Sequence, residues 1–486
     1  MSLILAIDQS TSATKAILFN EGGELIDQTA VPHRQIYPQP GWVEHDAEEI
    51  FQNTIQAIKL LWERHKEHSH DVLFLSVTNQ RETIVVFERG SGKPLYHAIV
   101  WQCRRGAPLC EAFVQQGYDS MVQQRTGLKI DTYFSASKLA WLIENQPGIR
   151  QKLINGQALI GTIDTYLIYR LTHGKVFASD HTNASRTLLY NIHTLAWDKD
   201  LCELFHVPMQ ALPEIHDCNA HFAETDAQGI LPSPLPICGV MGDSQAALFG
   251  QRGYQTGAVK ITIGSGSSIL LNLGDKPRTS QQGMVTAIAW VLDQHPTYCF
   301  EGITNFTGAT INWLRDQLKI IESPEETEAL ALTVENAFVG FSAPYWQPDA
   351  RAAITGLTPS STRAHVVRAA LESIAYLTKD VLQSMSQEAN LQLKSIHADG
   401  GSTRNRFLMQ FMADITRLQV RASRLPELSA LGAALAGSLG MGLNTSLEGL
   451  QRLPLAFSDY TPIMSGDQAQ ALHAGWKRAV RQTLTK

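Results

Sequence analysis

The chain has 486 residues, and 40 Lys plus Arg against 46 Asp plus Glu leave a formal charge of −6, with a pI near 6.2. That balance offers no basic field to a nucleic-acid backbone, and 44% apolar with 18% charged residues excludes a disordered or fibrous chain. The length predicts roughly three average domains or two large ones, and the class expected is a folded cytoplasmic enzyme.

A hairpin with an unusually polar bend comes first. Residues 3–7 are apolar, 8–14 are small and polar, 15–19 are apolar again, and 20–23 turn the chain. Asp46 then starts a helix with Glu49 three residues on, and Ile50, Phe51, Ile55, Ile58, Leu61 and Trp62 share one face. Residues 72–77 read as a buried strand, so strand, helix and strand predict a layered α/β architecture. At mid-chain a second hairpin is read from 259–263, apolar or β-branched, a small polar bend at 264–268, and a returning strand at 269–273. Two such hairpins, about half a chain apart, predict two similar domains, 1–247 and 248–486; no linker-like stretch marks the boundary, which is placed by the repeat. From Ser361 an amphipathic helix carries Val367, Ala370, Leu371, Ile374, Leu377, Val381 and Met385. A short strand then runs into Asp399, Gly400 and Gly401, and a helix from Asn405 buries Phe407, Leu408, Phe411, Met412 and Ile415. Strand, diglycine and helix form a setting in which a nucleotide can approach backbone closely.

Cys103, Cys110, Cys202, Cys218, Cys238 and Cys299 show no CxxC and no zinc-ligand spacing, which predicts reduced thiols. The sixteen histidines show no ligand or triad spacing either. No basic residue precedes Asp8, so the first residues read as a buried strand rather than a signal peptide. The longest uncharged stretch, 428–443, has 16 residues with four glycines and two serines, too short and too glycine-rich for a membrane span. No membrane partner is expected.

Four segments carry chemistry. Asp8, Gln9, Ser10, Thr11, Ser12, Ala13, Thr14 and Lys15 combine a carboxylate, hydroxyls, backbone amides and a cation. Such a bend can wrap phosphate oxygens while its carboxylate holds a hydrated Mg²⁺. Gly264, Ser265, Gly266, Ser267 and Ser268 form a comparable nest, and neither bend has the Walker pattern. In Asn79–Thr83, Arg81 offers only donors and Glu82 only acceptors, a pair suited to the hydroxyls of a polyol. Asp243 stands at a helix start after an apolar strand, where it could take a hydroxyl proton as the oxygen attacks phosphorus. Each segment alone also fits a blander reading: a solvated turn for the bends, a surface ion pair for Arg81 and Glu82, an N-cap for Asp243.

Together the segments resemble the FGGY family of carbohydrate kinases. The resemblance covers nearly the whole chain, through Gly41-Trp42-Val43-Glu44-His45-Asp46, Thr78-Asn79-Gln80-Arg81-Glu82-Thr83, Val100-Trp101-Gln102-Cys103-Arg104-Arg105, Thr182-Asn183-Ala184-Ser185-Arg186 and Ala343-Pro344-Tyr345-Trp346. Two signatures are similar as well, one from Tyr133 through Lys138 and Trp141 to Asn145, the other from Ala352 through Gly356 and His365 to Glu372. The resemblance implies two RNase H-like domains, of the actin, hexokinase and sugar-kinase type, flanking a deep catalytic cleft that closes over ATP and substrate. It implies ATP-dependent phosphorylation of a terminal hydroxyl of a small polyol, glycerol first. A tetritol, pentitol, ketotetrose or ketopentose is the alternative substrate, and an actin-like ATPase switch is the alternative from another class. By matched position, Asp8 would hold Mg²⁺, and Thr11, Ser12, Ala13, Lys15 and Ser265 would lie at the phosphates. Gly308, Asn312, Gly401 and Asn405 would line the rest of the nucleotide site. Arg81, Glu82, Trp101, Tyr133, Asp243, Ser244 and Ser268 would meet the polyol, with Asp243 as the base. Homodimers or homotetramers are expected from the same source.

Departures from the glycerol-phosphorylating members fall at the site. Lys15 replaces an Arg, Ala13 lacks a hydroxyl, and Asn312 is one methylene shorter than the usual Gln. Ser244 stands where a Gln flanks the base, and Ser268 where a Phe packs on the substrate's carbons, which predicts a larger and more polar pocket. Residues 227–232 read Ala, Gln, Gly, Ile, Leu, Pro and do not match the glycine-rich, arginine-bearing loop that binds fructose 1,6-bisphosphate in some members. That form of feedback is not expected.

Overall fold

A computed structural model describes residues 2–68, 70–304, 307–334, 338–339 and 354–484. Residues 343–346, and 352–353 at the start of the second signature, lie outside the described residues.

Six strands form the first sheet: β1 (Leu3–Gln9), β2 (Ala13–Asn20), β3 (Leu25–Pro32), β4 (Val72–Asn79), β5 (His221–Thr225) and β6 (Leu235–Gly242), in the order β5-β6-β4-β1-β2-β3. Every residue of β1 is buried, so both faces of this strand are covered. It pairs antiparallel with β2 and parallel with β4, and β6 continues parallel to β4. The second sheet contains β7 (Val259–Ile263), β8 (Ser267–Gly274), β9 (Val285–Leu292), β10 (His295–Thr304), β11 (Ser395–Asp399), β12 (Gln419–Ser423) and β13 (Phe457–Tyr460), in the order β9-β10-β8-β7-β11-β12-β13. Here β7 has an antiparallel hairpin partner, β8, on one side and the parallel pair β11 and β12 on the other. The two sheets thus repeat one plan, a hairpin beside two parallel strands and an antiparallel edge.

Both polar bends are tighter than their composition predicts. Asp8 and Gln9 remain in β1, paired with Lys15 and Thr14, so the first bend shrinks to 10–12. Ser267 and Ser268 pair with Ile263 and Thr262, leaving 264–266 as the second bend. Ladder pairing is made by backbone amides and carbonyls, so polar side chains do not end a strand when both partners continue.

Six helices matter for the site: α1 (Ala47–Arg64), α2 (Asp243–Gly250), α3 (Gly308–Asp316), α4 (Arg363–Ala389), α5 (Arg406–Thr416) and α6 (Leu428–Gly440). The Asp46 carboxylate accepts the backbone N–H groups of Glu48 and Glu49 and so starts α1. Thr362, with His365 completing a capping box, starts α4 one residue beyond the expected Ser361. Asn405 caps α5 through the Leu408 N–H. Helix α6 is the uncharged, glycine-rich stretch. It packs against α2, and a Cβ on Gly432 would stand 1.8 Å from the Ala246 carbonyl oxygen, so only glycine allows this approach. The joint they make is one apolar core with residues from both sheets, Ile4, Ala6 and Phe74 from the first and Leu270 and Trp290 from the second. Residue 247, the boundary expected from the repeat, falls inside α2. All six cysteines are buried free thiols. No helix among the described residues is long and apolar enough to cross a membrane.

Candidate active site

The first bend sits beside a buried carboxylate. Asp8 is 9% exposed. Burial pushes its pKa up to about 7; Lys15 opposes that shift, while Glu427 and Asp243 add to it. Lys15 reaches both carboxylate oxygens of Glu427, at 2.7 and 2.8 Å, and ties the hairpin of the first sheet to the residue that precedes α6. The Trp101 indole donates to the Thr11 hydroxyl at 3.0 Å and thereby carries the first bend to the aromatic wall formed with Tyr133, whose ring lies 5.3 Å away.

Where β4 ends, the chain makes a tight turn. Glu82 sits at φ +61°, a left-handed conformation that costs a non-glycine residue about 1–3 kcal/mol, and its carbonyl accepts the Ser135 hydroxyl at 3.0 Å. Arg81 and Glu82 do not grip each other closely, their nearest charged atoms being 3.9 Å apart. Arg81 instead meets Asp243 at 3.1 Å and Glu301 at 2.8 Å, and donates to the Gln245 side chain at 3.1 Å. Glu82 pairs with Arg186 at 2.6 Å, and Arg186 reaches Glu301 at 2.6 Å. Ser268 donates to Glu301 at 3.1 Å.

Five charges therefore share one buried cluster drawn from both domains, and they balance unevenly. Burial works against ionising Glu301, but Arg186 and Arg81 hold its pKa down at about 2. Burial raises the pKa of Glu82 despite Arg81 and Arg186. The Tyr133 phenol is also pushed up, by burial and then by Glu82. Asp243 differs from its partners in exposure: its side chain is 39% exposed against 4% for Arg81. It is the first residue of α2 and does not serve as an N-cap, which is Gly242. Instead its carboxylate accepts the Ser244 N–H at 2.6 Å and is steadied by Arg81. An open carboxylate held by a buried guanidinium can take a proton from a hydroxyl brought to it.

A cavity of about 770 Å³ adjoins the second bend and is lined by Gly264, Ser265, Gly308, Asn312, Gly401 and Asn405, with Ile311, Leu371 and Leu408 as apolar walls. That volume suits a nucleotide-sized ligand. The bend and α3 are locked together: the Gly308 N–H donates to the Gly264 carbonyl at 2.9 Å, and a Cβ on Gly308 would lie 2.4 Å from that oxygen.

The structure therefore brings Ser265, Gly308, Asn312, Gly401 and Asn405 around one cavity. Arg81, Glu82, Asp243 and Ser268 meet in the charged cluster, with Trp101 and Tyr133 forming its aromatic side. Asp8, Thr11, Ser12, Ala13 and Lys15 lie on the hairpin of the first sheet, outside the lining of that cavity. Ser244 contributes a backbone N–H to Asp243. Sequence reasoning missed Glu301 and gave Arg186 no role. A signal for Glu301 existed: a carboxylate inside the apolar run of β10 is fully buried and must find a cation there.

Twin sheets joined at a helix pair, a nucleotide-sized cavity beside one bend and a charged pocket beside the other define a two-domain sugar kinase. The chain belongs to the FGGY family of carbohydrate kinases: the model of the family's N-terminal domain matches residues 3–250, and that of the C-terminal domain matches 259–441. It is accordingly a phosphotransferase with an alcohol group as acceptor. It is 46% identical over 491 aligned positions to glycerol kinase 1 of Thermotoga maritima, covering 99% of this chain and 100% of that protein. Glycerol kinase of Caldanaerobacter subterraneus is 43% identical, with 99% and 98% covered. Among solved structures, Plasmodium falciparum glycerol kinase with ADP superposes with a TM-score of 0.95 at 35% identity, covering 100% of this chain and 99% of that one. A xylulose kinase from Lactobacillus acidophilus shares the fold, with a TM-score of 0.88 at 21% identity and the same coverage.

Proposed function

We propose that the enzyme transfers the γ-phosphoryl group of ATP to a terminal hydroxyl of a small polyol, with glycerol as the first substrate. The observation that carries this reading is the half-open carboxylate of Asp243, held by Arg81 at the edge of the buried charge cluster. In the reaction Asp243 takes the hydroxyl proton as the oxygen attacks phosphorus. Arg81 and Glu82 orient the remaining hydroxyls, and Trp101 and Tyr133 exclude water from the carbon chain. Ser244 and Ser268 border this pocket. Gly308, Asn312, Gly401 and Asn405 seat the nucleotide, while Thr11, Ser12, Ala13, Lys15 and Ser265 surround its phosphates.

Asp8 would hold Mg²⁺. Its carboxylate is a hard oxygen donor whose charged form burial disfavours, so a divalent cation restores what desolvation takes away. A bound Mg²⁺ would supply neutralisation of phosphate charge.

Relatives named glycerol kinase at 42–46% identity support glycerol as substrate. The hydroxyl of Ser268 beside Glu301 supports the alternative of a longer polyol or ketose, because it lines the pocket with a polar group. The test is coupled ADP release with Mg-ATP across glycerol, erythritol, threitol, xylitol, ribitol, dihydroxyacetone, erythrulose, xylulose and ribulose. Glycerol ahead by more than about a hundredfold in kcat/KM, roughly 2.7 kcal/mol, supports the first reading. A four- or five-carbon substrate ahead selects the alternative, and ADP release indifferent to polyol selects an ATPase switch.

We assign acceptor binding to a lobe formed by 1–247 and adenosine binding to a lobe formed by 248–486. We also place the enzyme in the cytoplasm, as a homodimer or homotetramer; its six free thiols support a reducing compartment. Light scattering behind size exclusion checks assembly, a 53.7 kDa particle counting against it.

A further inference from the structure

Lys260 is a fully buried cation for which the reading above has no use. On β7 it alternates with Val259, Ile261 and Ile263, which belong to the core of the second domain. Lys260 therefore faces the opposite side of the sheet. Its cross-strand partner Leu270 lies in the joint core with Ala246, Ala247 and Phe249 of α2, which places Lys260 beneath that helix. The charges that act on its ammonium are Asp399, Asp243, Arg81 and Glu301. The ammonium thus lies between the strand end that leads into Gly400 and Gly401 and the N-terminus of α2, where Asp243 waits for the hydroxyl.

Among the described residues, the cations of the charged cluster and of the first bend are committed: Arg81 to Glu301 and Asp243, Arg186 to Glu82 and Glu301, Lys15 to Glu427. The Nζ of Lys260 makes no hydrogen bond, and Asp399, the carboxylate that acts on it most strongly, is engaged by the Gln251 amide. A buried ammonium left in this state is costly. Burial lowers its pKa, and the carboxylates of Asp399 and Asp243 oppose that loss.

We propose that Lys260 is a positioning residue for phosphoryl transfer: from beneath the cleft floor its ammonium favours the negative charge that gathers between nucleotide and acceptor hydroxyl. The proposal rests on the polyol-kinase reading. It uses the strength of charge interactions in a dry site, and it explains why an unpaired charge is kept where a methionine would pack.

The test compares wild type, Lys260→Met, Asp399→Asn and the double variant by coupled ADP release and by thermal melting without ligands. For Lys260→Met the expectation is a kcat lower by roughly 10- to 100-fold, a polyol KM within about threefold, and a Tm equal to or above wild type, since an unpaired charge has been removed. A purely structural ion pair with Asp399 makes the contrary prediction: Tm falls in each single variant, and both Tm and kcat recover in the double variant. That result, or a kcat within about twofold of wild type, overturns the proposal. Wild type run alongside separates the two ideas. Absence of polyol-dependent ADP release from wild type removes the kinase reading and this one with it, whereas normal wild-type turnover with an unimpaired Lys260→Met removes this one alone.

Discussion

Arg81 touches two carboxylates that differ in what water can do to them. Asp243 is open to the cleft, while Glu301 is sealed between Arg81 and Arg186. Asp243→Asn keeps the shape and an oxygen for Arg81 but cannot accept a proton, so kcat should fall by roughly 10²- to 10⁴-fold. ADP affinity, measured by calorimetry, should hardly move; a variant with near-normal kcat would remove Asp243 from the role of base. Glu301→Gln tests the buried partner. It leaves two guanidinium groups with one anion fewer, and breaking a buried pair in this way costs about 3–5 kcal/mol, read as a fall in Tm. The sign of its pH dependence follows from the depressed pKa of Glu301, about 2 in the fold against 4.5 unperturbed. Its stabilisation is complete above pH 4.5 and disappears as pH falls toward 2, so the gap between wild type and Glu301→Gln should close over that window. Residues of this kind are the hardest to read from sequence. Arg81, Glu82 and Asp243 stand in recognisable segments, but the partners that fix them, Arg186 and Glu301, lie 105 and 220 positions from Arg81, and Glu301 meets it only after two domains fold together.

At the scale of elements, the second bend works because α3 begins against it. The Gly308 N–H reaches the Gly264 carbonyl, and the Ala309 N–H reaches that of Ser265 at 3.0 Å. Gly308→Ala would press a methyl against the Gly264 carbonyl and prise bend and helix apart. Overpacking of this kind costs about 1–3 kcal/mol, and the KM for ATP should rise more than the KM for polyol in steady-state assays. Equal KM values for ATP in variant and wild type would detach this bend from nucleotide binding. Periodicity alone made most of these elements visible. The apolar faces of α1, α4 and α5 are those expected from the spacing, with Ile55 and Phe407 at the half-buried margin. Asp46 and Asn405 start α1 and α5 as expected, but the start of α4 was less visible, because a cap is chosen by which side chain finds free N–H groups, and Thr362 with His365 takes that place instead of Ser361. The bends were overextended for a related reason: Asp8, Gln9, Ser267 and Ser268 read as polar, yet their backbones stay in the ladders.

At the scale of the molecule, the same burial that makes the cleft also sets how the whole protein titrates. The glycine-rich stretch 428–443 signalled only that it was too short to span a membrane; its use, the close helix joint between domains, depends on α2 arriving from a distant part of the chain. That joint and the sheets around it bury carboxylates that are difficult to ionise. Burial brings Asp8 to about pKa 7, and burial together with Asp180 brings Asp164 to the same value, against 3.8 for an ordinary Asp. Glu82 and Asp399 shift in the same direction, again chiefly through burial. Between pH 3.8 and about 7 these carboxylates hold more protons in the folded protein than in the unfolded chain, so their contribution to stability falls as pH rises through that window, whereas His45, which burial lowers to about 3, and His33 and His397, lowered likewise, act with the opposite sign up to pH 6.5. Below pH 4.5 the loss of the Glu301 ion pairs acts in the same direction as the histidines. Above pH 6.5, where the histidines no longer oppose the carboxylates, the ligand-free enzyme should lose Tm as pH rises through about 7. Asp164→Asn should flatten part of that slope by removing one buried titration. Mg-ADP should flatten another part if Asp8 is the metal's anchor, because a bound cation favours the ionised form at every pH. Melting curves at half-unit steps from pH 4 to 8, with and without Mg-ADP, test all three statements. A ligand-free profile that rises toward pH 8 would mean that these carboxylates are solvated in solution, and the burial argument for Asp8 as the metal site would fall with it.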